Sequence, residues 1–305
     1  MPRRMTGQSS GRATGFLLLA FLSFAWGTNW PAIKIAVLEM PIWQYRAATA
    51  LAAGTCLLLY ARLSGQNMRV PRGQWPALGV VTLTNVTLWL IFVGYGVKLM
   101  ESGQASLIGF TAPLWVALLA WMFLGEPLTL RRLGALVIGI GGIAVLMWPS
   151  LGTLGDRPLG ALLVLAGAIS FAIGTIVTKR VIWAVPPASF AGWQLMMGGI
   201  PIAVIAAASE PMSMHRASTE AWLAAAYTTF AGLVLAYIVW FRIIKIFEAG
   251  TASIGTLAVP AVALLSGAAV LGEPIGWRQL TALAIVLSAV GLVLIAPAVH
   301  KRDRL

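Results

Sequence analysis

The chain has 305 residues, of which 59% are hydrophobic and 10% are charged, and its formal net charge is +12. Soluble domains carry roughly 25% charged residues, so this chain lacks the polar side chains that a water-soluble globule needs on its surface. The composition therefore excludes an ordinary soluble protein and indicates a protein embedded in a lipid bilayer.

Glycine, proline and charged clusters divide the chain into apolar segments close to the roughly 20 residues that a helix needs to cross a bilayer. In chain order the ten predicted helices span residues 15–37, 41–63, 75–97, 102–124, 131–149, 158–178, 187–209, 219–243, 249–271 and 277–297. The predicted fold class is an all-α membrane protein with cytoplasmic tails at 1–14 and 298–305. The basic start resembles a signal peptide, but the apolar run that follows reaches bilayer length without a small-residue cleavage site. We therefore predict that it is retained as the first helix.

The distribution of basic residues predicts the orientation of the chain. Fifteen of the 21 lysines and arginines lie on the side of the N-terminus, five lie on the opposite side, and Arg46 lies inside the second helix. Cytoplasmic loops carry the excess of such residues, so both termini are predicted to be cytoplasmic in a bacterial inner (plasma) membrane. The basic residues are dispersed over short segments instead of forming one patch. This pattern favours membrane lipid headgroups as partners and excludes nucleic acid.

The second half of the chain repeats the first at an offset of 147 residues. The matched pairs include Phe24 with Phe171, Gly27 with Gly174, Lys98 with Lys245, Pro113 with Pro260 and Glu126 with Glu273. Each repeat, 15–149 and 158–297, contains an odd number of helices, so the second is predicted to enter the membrane from the opposite side. Inverted repeats around a central cavity are typical of secondary transporters.

Two motifs carry a resemblance to a known family. The Phe-Ala-x-Gly-Thr stretch recurs in the first and sixth helices, and Gly-Glu-Pro closes the fourth and ninth. With these motifs the chain resembles the EamA-type branch of the drug/metabolite transporter superfamily, and within it the bacterial exporters of aromatic amino acids. The resemblance implies ten helices in two five-helix repeats and export of amino acids, aromatic ones included.

The acidic residues argue against catalysis and against proton coupling. All nine map at or near predicted helix ends, and no catalytic or metal-binding cluster is visible. Proton relays typically use a carboxylate within the membrane, so we predict uncoupled transport by alternating access, with no cofactor and no metal. The alternatives are efflux of hydrophobic drugs or other small metabolites and, from another class, a polytopic membrane enzyme.

Polar and aromatic residues deep in the predicted helices are the candidate substrate contacts. Helical spacing places Trp26, Asn29 and Trp30 on one face of the first helix, and Asn85 and Trp89 together in the third. An aromatic and amide lining suits a neutral or zwitterionic solute. Interfacial belts are the alternative for tryptophan, and bonds to the own backbone are the alternative for serine and threonine. The predicted substrate-binding set is Trp26, Asn29, Trp30, Asn85, Trp89, Phe110, Ser170, Thr175 and Tyr237.

Paired residues are the candidate gates and hinges. Pro113 and Pro260 lie at the centres of the fourth and ninth helices, where each removes a backbone hydrogen bond. They are predicted to be paired hinges, and kinks that only serve helix packing are the alternative. Glu126 and Glu273 are candidate gates at opposite faces; in the alternative, glycine and proline end the helix while the glutamate pairs with a nearby arginine, Arg131 or Arg278.

Arg46 has two interpretations, namely snorkelling of its side chain to the outer headgroups or contact with a substrate carboxylate. The first, third, fourth, sixth, eighth and ninth helices are predicted to line the cavity. The fifth and tenth, almost without polar side chains, are predicted to lie at the periphery of a monomer or weak homodimer.

Overall fold

The computed structural model describes residues 6–127, 129–148, 156–211, 213–247 and 256–294. Ten helical stretches follow one another in this part of the chain. They are α1 (Thr6–Glu39), α2 (Ile42–Leu63), α3 (Trp75–Thr82, Leu83–Leu88 and Trp89–Leu99), α4 (Ser102–Gly109 and Ala112–Leu124), α5 (Leu130–Met147), α6 (Asp156–Arg180), α7 (Pro187–Ser209), α8 (Thr219–Tyr227, Thr228–Leu235 and Ala236–Ile246), α9 (Ala258–Leu271) and α10 (Trp277–Leu294).

The helix bounds lie near those predicted, with two differences. Helix α1 begins at Thr6, so part of the predicted N-terminal tail is helical. Helix α9 begins at Ala258, and residues 249–255 of the predicted ninth helix lie outside the described residues.

Six of the described helices are long and apolar enough to cross a membrane. They include Thr14–Glu39 of α1 and Arg72–Leu99 around α3, and three shorter apolar helices lie in α5, α9 and α10. Helix α2 is in neither group, and its polar residues Gln44 and Arg46 are buried inside the protein. The chain is therefore a multi-pass membrane protein, while ten complete crossings stay a prediction.

The helices pack in a pattern that relates the two halves. Helix α1 packs on α8 and α9, and its counterpart α6 packs on α3 and α4. Helix α4 packs on α9, α2 on α7, and α5 on α10. Each helix has a counterpart in the other repeat, five helices away in chain order. When every helix in these pairs is replaced by its counterpart, the same pairs result. Helices α1, α3, α4, α6, α8 and α9 therefore form the centre, with the pairs α2/α7 and α5/α10 beside it.

Two local features also recur at equivalent positions. Helices α3 and α8 each contain a π-helical segment, at Leu83–Leu88 and Thr228–Leu235, which overlap when the 147-residue offset is applied. Helices α4 and α9 end at Gly125 and Gly272 with φ values of 65° and 67°. Glycine takes this left-handed conformation without a steric penalty, which is why the Gly-Glu-Pro motif ends both helices.

Helix α4 is broken near its middle, where the sequence predicted a proline at the helix centre. Residues Phe110 and Thr111 separate its two parts, and Pro113 lies in the first turn of the second. Proline lacks the N–H that would continue the helical bonds, and its ring crowds the preceding turn. In α9, Pro260 likewise lies in the first described turn.

Candidate functional site

Two interfaces between the halves hold the predicted asparagines. A Cβ atom at Gly232 of α8 would lie 2.6 Å from Asn29 Oδ1 of α1, and one at Gly174 of α6 would overlap the Asn85 side chain of α3. Asn85 and Gly232 are equivalent under the 147-residue offset. Both asparagine Oδ1 atoms are buried and have no hydrogen-bond partner. Because an unsatisfied buried acceptor is costly, these two amides are candidate acceptors for a polar ligand.

The π-helical segments receive hydrogen bonds from neighbouring helices. Trp26 Nε1 donates to the Gly232 carbonyl at 3.2 Å, and Ser170 Oγ donates to the Thr84 carbonyl at 2.9 Å. A π-helical turn displaces the regular backbone bonds and is frequent at functional sites. Side chains from the opposite half therefore supply donors to both segments.

An aromatic layer lies where α4 is broken. A Cβ atom at Gly109 would lie 2.8 Å from Trp30 Cη2 and 3.5 Å from Trp89 Cη2, so both indoles reach this glycine. Phe110 packs in the same cluster, and the Trp89 and Phe171 rings are 5.4 Å apart. The structure thus brings together three of the predicted substrate contacts, Trp30, Trp89 and Phe110.

Trp26 lies apart from this layer, although it shares a predicted face with Trp30. Its ring centroid is 6.0 Å from that of Trp240, in a small cluster between α1 and α8. Four residues along a helix rotate a side chain by about 40°, which is enough for the two indoles to face different neighbours. Trp26 therefore packs against α8, whereas Trp30 packs against α4. The Trp30 side chain is 5% exposed.

The remaining predicted contacts have different surroundings. Thr175 Oγ1 donates to the Phe171 carbonyl of its own helix at 2.9 Å, as its alternative interpretation expected. Tyr237 packs in a partly buried cluster with Trp43, Trp89 and Tyr95. Tyr237 thus shares a neighbour with the aromatic layer, while the hydroxyl of Thr175 is satisfied locally.

Carboxylates join the helices at one end of the bundle, which we call the Glu273 end and which contains residues 39–42, 99–103, 210–211, 213–218 and 271–277. Glu273 accepts hydrogen bonds from the backbone N–H groups of Ser102 and Gly103 at 2.6 and 3.0 Å, where α4 begins. Glu210 accepts bonds from the first turn of α2, and Glu39 accepts bonds from Ser218 at the start of α8. Free N–H groups at helix N-termini favour carboxylates, so three carboxylates join the helices at this end.

The expected partner of Glu273 was Arg278, and this expectation is wrong in the structure. Arg278 lies over the Trp277 ring at 5.3 Å instead. The N-terminal N–H groups of α4 are fixed donors without partners inside their own helix, and they hold the Glu273 carboxylate at this position. Glu273 therefore connects the two halves.

The opposite end, which we call the Glu126 end, contains residues 63–74, 123–127, 129–130 and 179–187. The Glu126 carboxylate and Lys179 Nζ are 3.3 Å apart, and both side chains are partly exposed. Arg180 also donates to the Phe123 carbonyl. The equivalent glutamates thus lie at opposite ends of the bundle.

The surroundings of Arg46 were not predicted from the sequence. Its side chain is 1% exposed, so the interpretation that it snorkels to the headgroups is wrong. The guanidinium lies beside Gly94 of α3 and 5.0 Å from the Tyr45 ring centroid. Gly94 leaves the space that the side chain occupies, a relationship that the spacing of residues in α2 does not show.

The EamA-like transporter family model matches the chain twice, at residues 13–148 and 158–296. The two matches coincide with the two predicted repeats. A solved crystal structure shares the fold, with a TM-score of 0.67 and 19% identity, and the match covers 92% of this chain and 96% of that chain.

The chain is also similar to three named proteins. The uncharacterized transporter YvbV of Bacillus subtilis (strain 168) is 26% identical over 277 residues, which are 91% of this chain and 90% of that protein. Protein PecM of Dickeya dadantii (strain 3937) is 28% identical over 250 residues, 80% of each chain. The uncharacterized inner membrane transporter YedA of Escherichia coli (strain K12) is 26% identical over 285 residues, 91% of this chain and 90% of that protein.

None of these names states a substrate, so the closer likeness to aromatic-amino-acid exporters stays a proposal. The family itself and its role in transport are shown by the double match and by relatives that span nearly the whole chain. The chain belongs to the EamA-like transporter family, whose members carry small metabolites across membranes.

Proposed function

We propose that the protein exports amino acids, aromatic ones included, across the bacterial inner membrane by uncoupled alternating access. The observation that carries this proposal is the position of Asn29 and Asn85 at two equivalent interfaces between the halves, beside the Trp30 and Trp89 layer. An amino-acid ammonium group supplies the donors that the two amide oxygens lack. The indole rings supply an apolar, stacking surface for an aromatic side chain.

The positions of the paired glutamates support alternating access. Glu273 bonds to the start of α4, which belongs to the other half, and its counterpart Glu126 contacts Lys179 at the other end of the bundle. Because equivalent residues lie at opposite ends, an exchange of conformations between inverted halves would open one end while closing the other. Pro113, beside the break in α4, and Pro260, in the first described turn of α9, are suitable hinge positions.

The acidic side chains support uncoupled movement. Among the acidic residues that the structure describes, each lies at or near a helix end, and the residues of the central aromatic layer include no carboxylate. A proton relay through the membrane normally requires a titratable group at depth. We therefore propose that the concentration gradient of the solute drives transport.

Proteoliposomes containing the full chain test this proposal. Labelled tryptophan or phenylalanine should enter down its gradient at the same rate with and without an imposed pH gradient. Uptake that depends strictly on the pH gradient would overturn the uncoupled mechanism. Competition by hydrophobic drugs without competition by amino acids would favour drug efflux instead.

A further inference from the structure

Arg46 is a buried cation without an ion-pair partner among the described residues. Its Nε and Nη2 atoms are buried and make no hydrogen bond, and the side chain is 1% exposed. Its nearest aromatic neighbour is the Tyr45 ring at 5.0 Å, whose hydroxyl is engaged by Thr228. The ion pair between Glu126 and Lys179 lies near the other end of the bundle.

A buried guanidinium in this state is costly. Removing a charge from water carries an effective penalty of several kcal/mol that only a partner charge and hydrogen bonds offset. An arginine with a purely structural role is expected to donate its guanidinium N–H groups to backbone carbonyls or to a carboxylate. Lys34 shows this behaviour in the same protein, since its Nζ donates to carbonyls at the end of α3, including Val97 O and Met100 O at 2.8 Å each.

The position of Arg46 relates it to the aromatic layer. A Cβ atom at Gly94 would lie 3.1 Å from Arg46 Nε, so the guanidinium lies against α3 at this residue. The buried cluster that contains Tyr45, the residue before Arg46, also packs against Trp89 and Phe110 of the aromatic layer. Arg46 therefore lies in a part of α2 that borders this layer, and an aromatic amino acid can place its carboxylate at Arg46 and its ring in the layer.

We propose that Arg46 binds the carboxylate of the transported solute. This inference rests on the proposed function, because it assigns the anionic group of the solute to the same central site. The guanidinium fork matches a carboxylate in a bidentate arrangement. Its burial in this conformation means that the carboxylate reaches it when α2 and α3 separate during the transport cycle. The site takes monocarboxylates and discriminates against the corresponding amides and amines.

Thermal unfolding of the full chain in detergent tests the site without requiring transport. The probes are phenylalanine, phenylalaninamide, phenethylamine and benzoate, applied to wild type and to the Arg46→Met and Arg46→Lys variants. Arg62→Met is the matched control, because Arg62 also lies in α2 but is exposed. In wild type and Arg62→Met, phenylalanine and benzoate should raise Tm, and the amide and amine should not.

In Arg46→Met the preference for carboxylates should fall by about 10- to 100-fold in apparent affinity, and Tm without ligand should rise. Arg46→Lys should keep the preference for carboxylates but bind them more weakly. Lysine preserves the positive charge but lacks the bidentate donor geometry of the guanidinium group. A carboxylate preference that persists in Arg46→Met would overturn the inference, as would a wild type that does not distinguish acid from amide. If Arg46→Met does not fold, the inference is tested by comparing the acid with the amide in wild type and by the Arg46→Lys variant.

The same probes separate this inference from the proposed function. A Tm shift by benzoate that requires Arg46, together with absence of amino-acid uptake in proteoliposomes, would retain the carboxylate site and reject amino-acid export. Amino-acid uptake with equal acid and amide affinity would retain export and reject the role of Arg46.

Discussion

The carboxylate of Glu273 accepts a hydrogen bond from the backbone N–H of Ser102 at 2.6 Å. Glu273 follows the last residue of α9, and Ser102 is the first residue of α4. Helix α4 therefore begins at the end of the bundle where its repeat counterpart α9 ends. Equivalent helices that run in opposite directions support the inverted arrangement of the halves that the odd number of helices per repeat predicts.

Replacing Glu273 with alanine should weaken the Glu273 end. The change removes the acceptor for Ser102 and Gly103 and should lower stability by about 2 kcal/mol, measured as Tm in detergent. Glu220→Ala is the control, because Glu220 is exposed in the first turn of α8. Equal Tm decreases in the two variants would show that the Glu273 contacts do not stabilise the closed end.

Alanine at Gly174 or Gly232 should disrupt the two equivalent interfaces. The new methyl group would overlap Asn85 in the first case and Asn29 in the second, and overpacking of this kind costs about 1–3 kcal/mol. Gly79→Ala in α3 meets no atom within 4 Å, so its stability should be unchanged or increased by up to about 1 kcal/mol. Equal stability of all three variants in thermal unfolding would contradict the close approach.

Lys34 and Lys98 provide a matched pair of lysines at the Glu273 end. Lys34 Nζ donates to three carbonyls at the end of α3, whereas Lys98 is exposed. Lys34→Met should lower stability by about 2 kcal/mol, because the last carbonyls of the helix lose their donor. Lys98→Met should change it by less than about 0.5 kcal/mol. A larger Tm decrease for Lys98→Met would be incompatible with these contacts.

The proposed orientation predicts which residues face each side of the membrane. The single cysteine, Cys56, is first replaced with alanine. A membrane-impermeant maleimide applied to intact cells should then label Arg216→Cys at the Glu273 end and leave Ser64→Cys at the Glu126 end unlabelled until the cells are opened. Both positions are exposed. Labelling with the opposite preference would reverse the orientation and place both termini outside.

Much of the architecture was predictable because it depends on local composition and on the repeat. Apolar segments of bilayer length and the motifs around Gly27 and Glu126 indicated a multi-pass membrane protein of the EamA family, and the family match confirms this. The Gly-Glu-Pro sequence also indicated where α4 and α9 end. These features act over a few residues, so they are visible without a structure.

The contacts that depend on distant residues were not predictable. Arg46 is buried because Gly94 of another helix leaves space for it, and Glu273 bonds to a residue 171 positions away. The π-helical segments have no local signature in the sequence. Helical spacing placed Trp26 beside Trp30, but it did not show that they would contact different helices.

Counterflow in proteoliposomes tests the central claim most directly. Vesicles loaded with unlabelled tryptophan and placed in a trace of labelled tryptophan, without ion gradients, should accumulate the label transiently, because a carrier returns with the labelled solute. Trp89→Ala should raise the KM for aromatic amino acids about tenfold, whereas Trp277→Ala, 68% exposed, should not. No transient accumulation by folded wild-type protein would contradict an uncoupled carrier of aromatic amino acids.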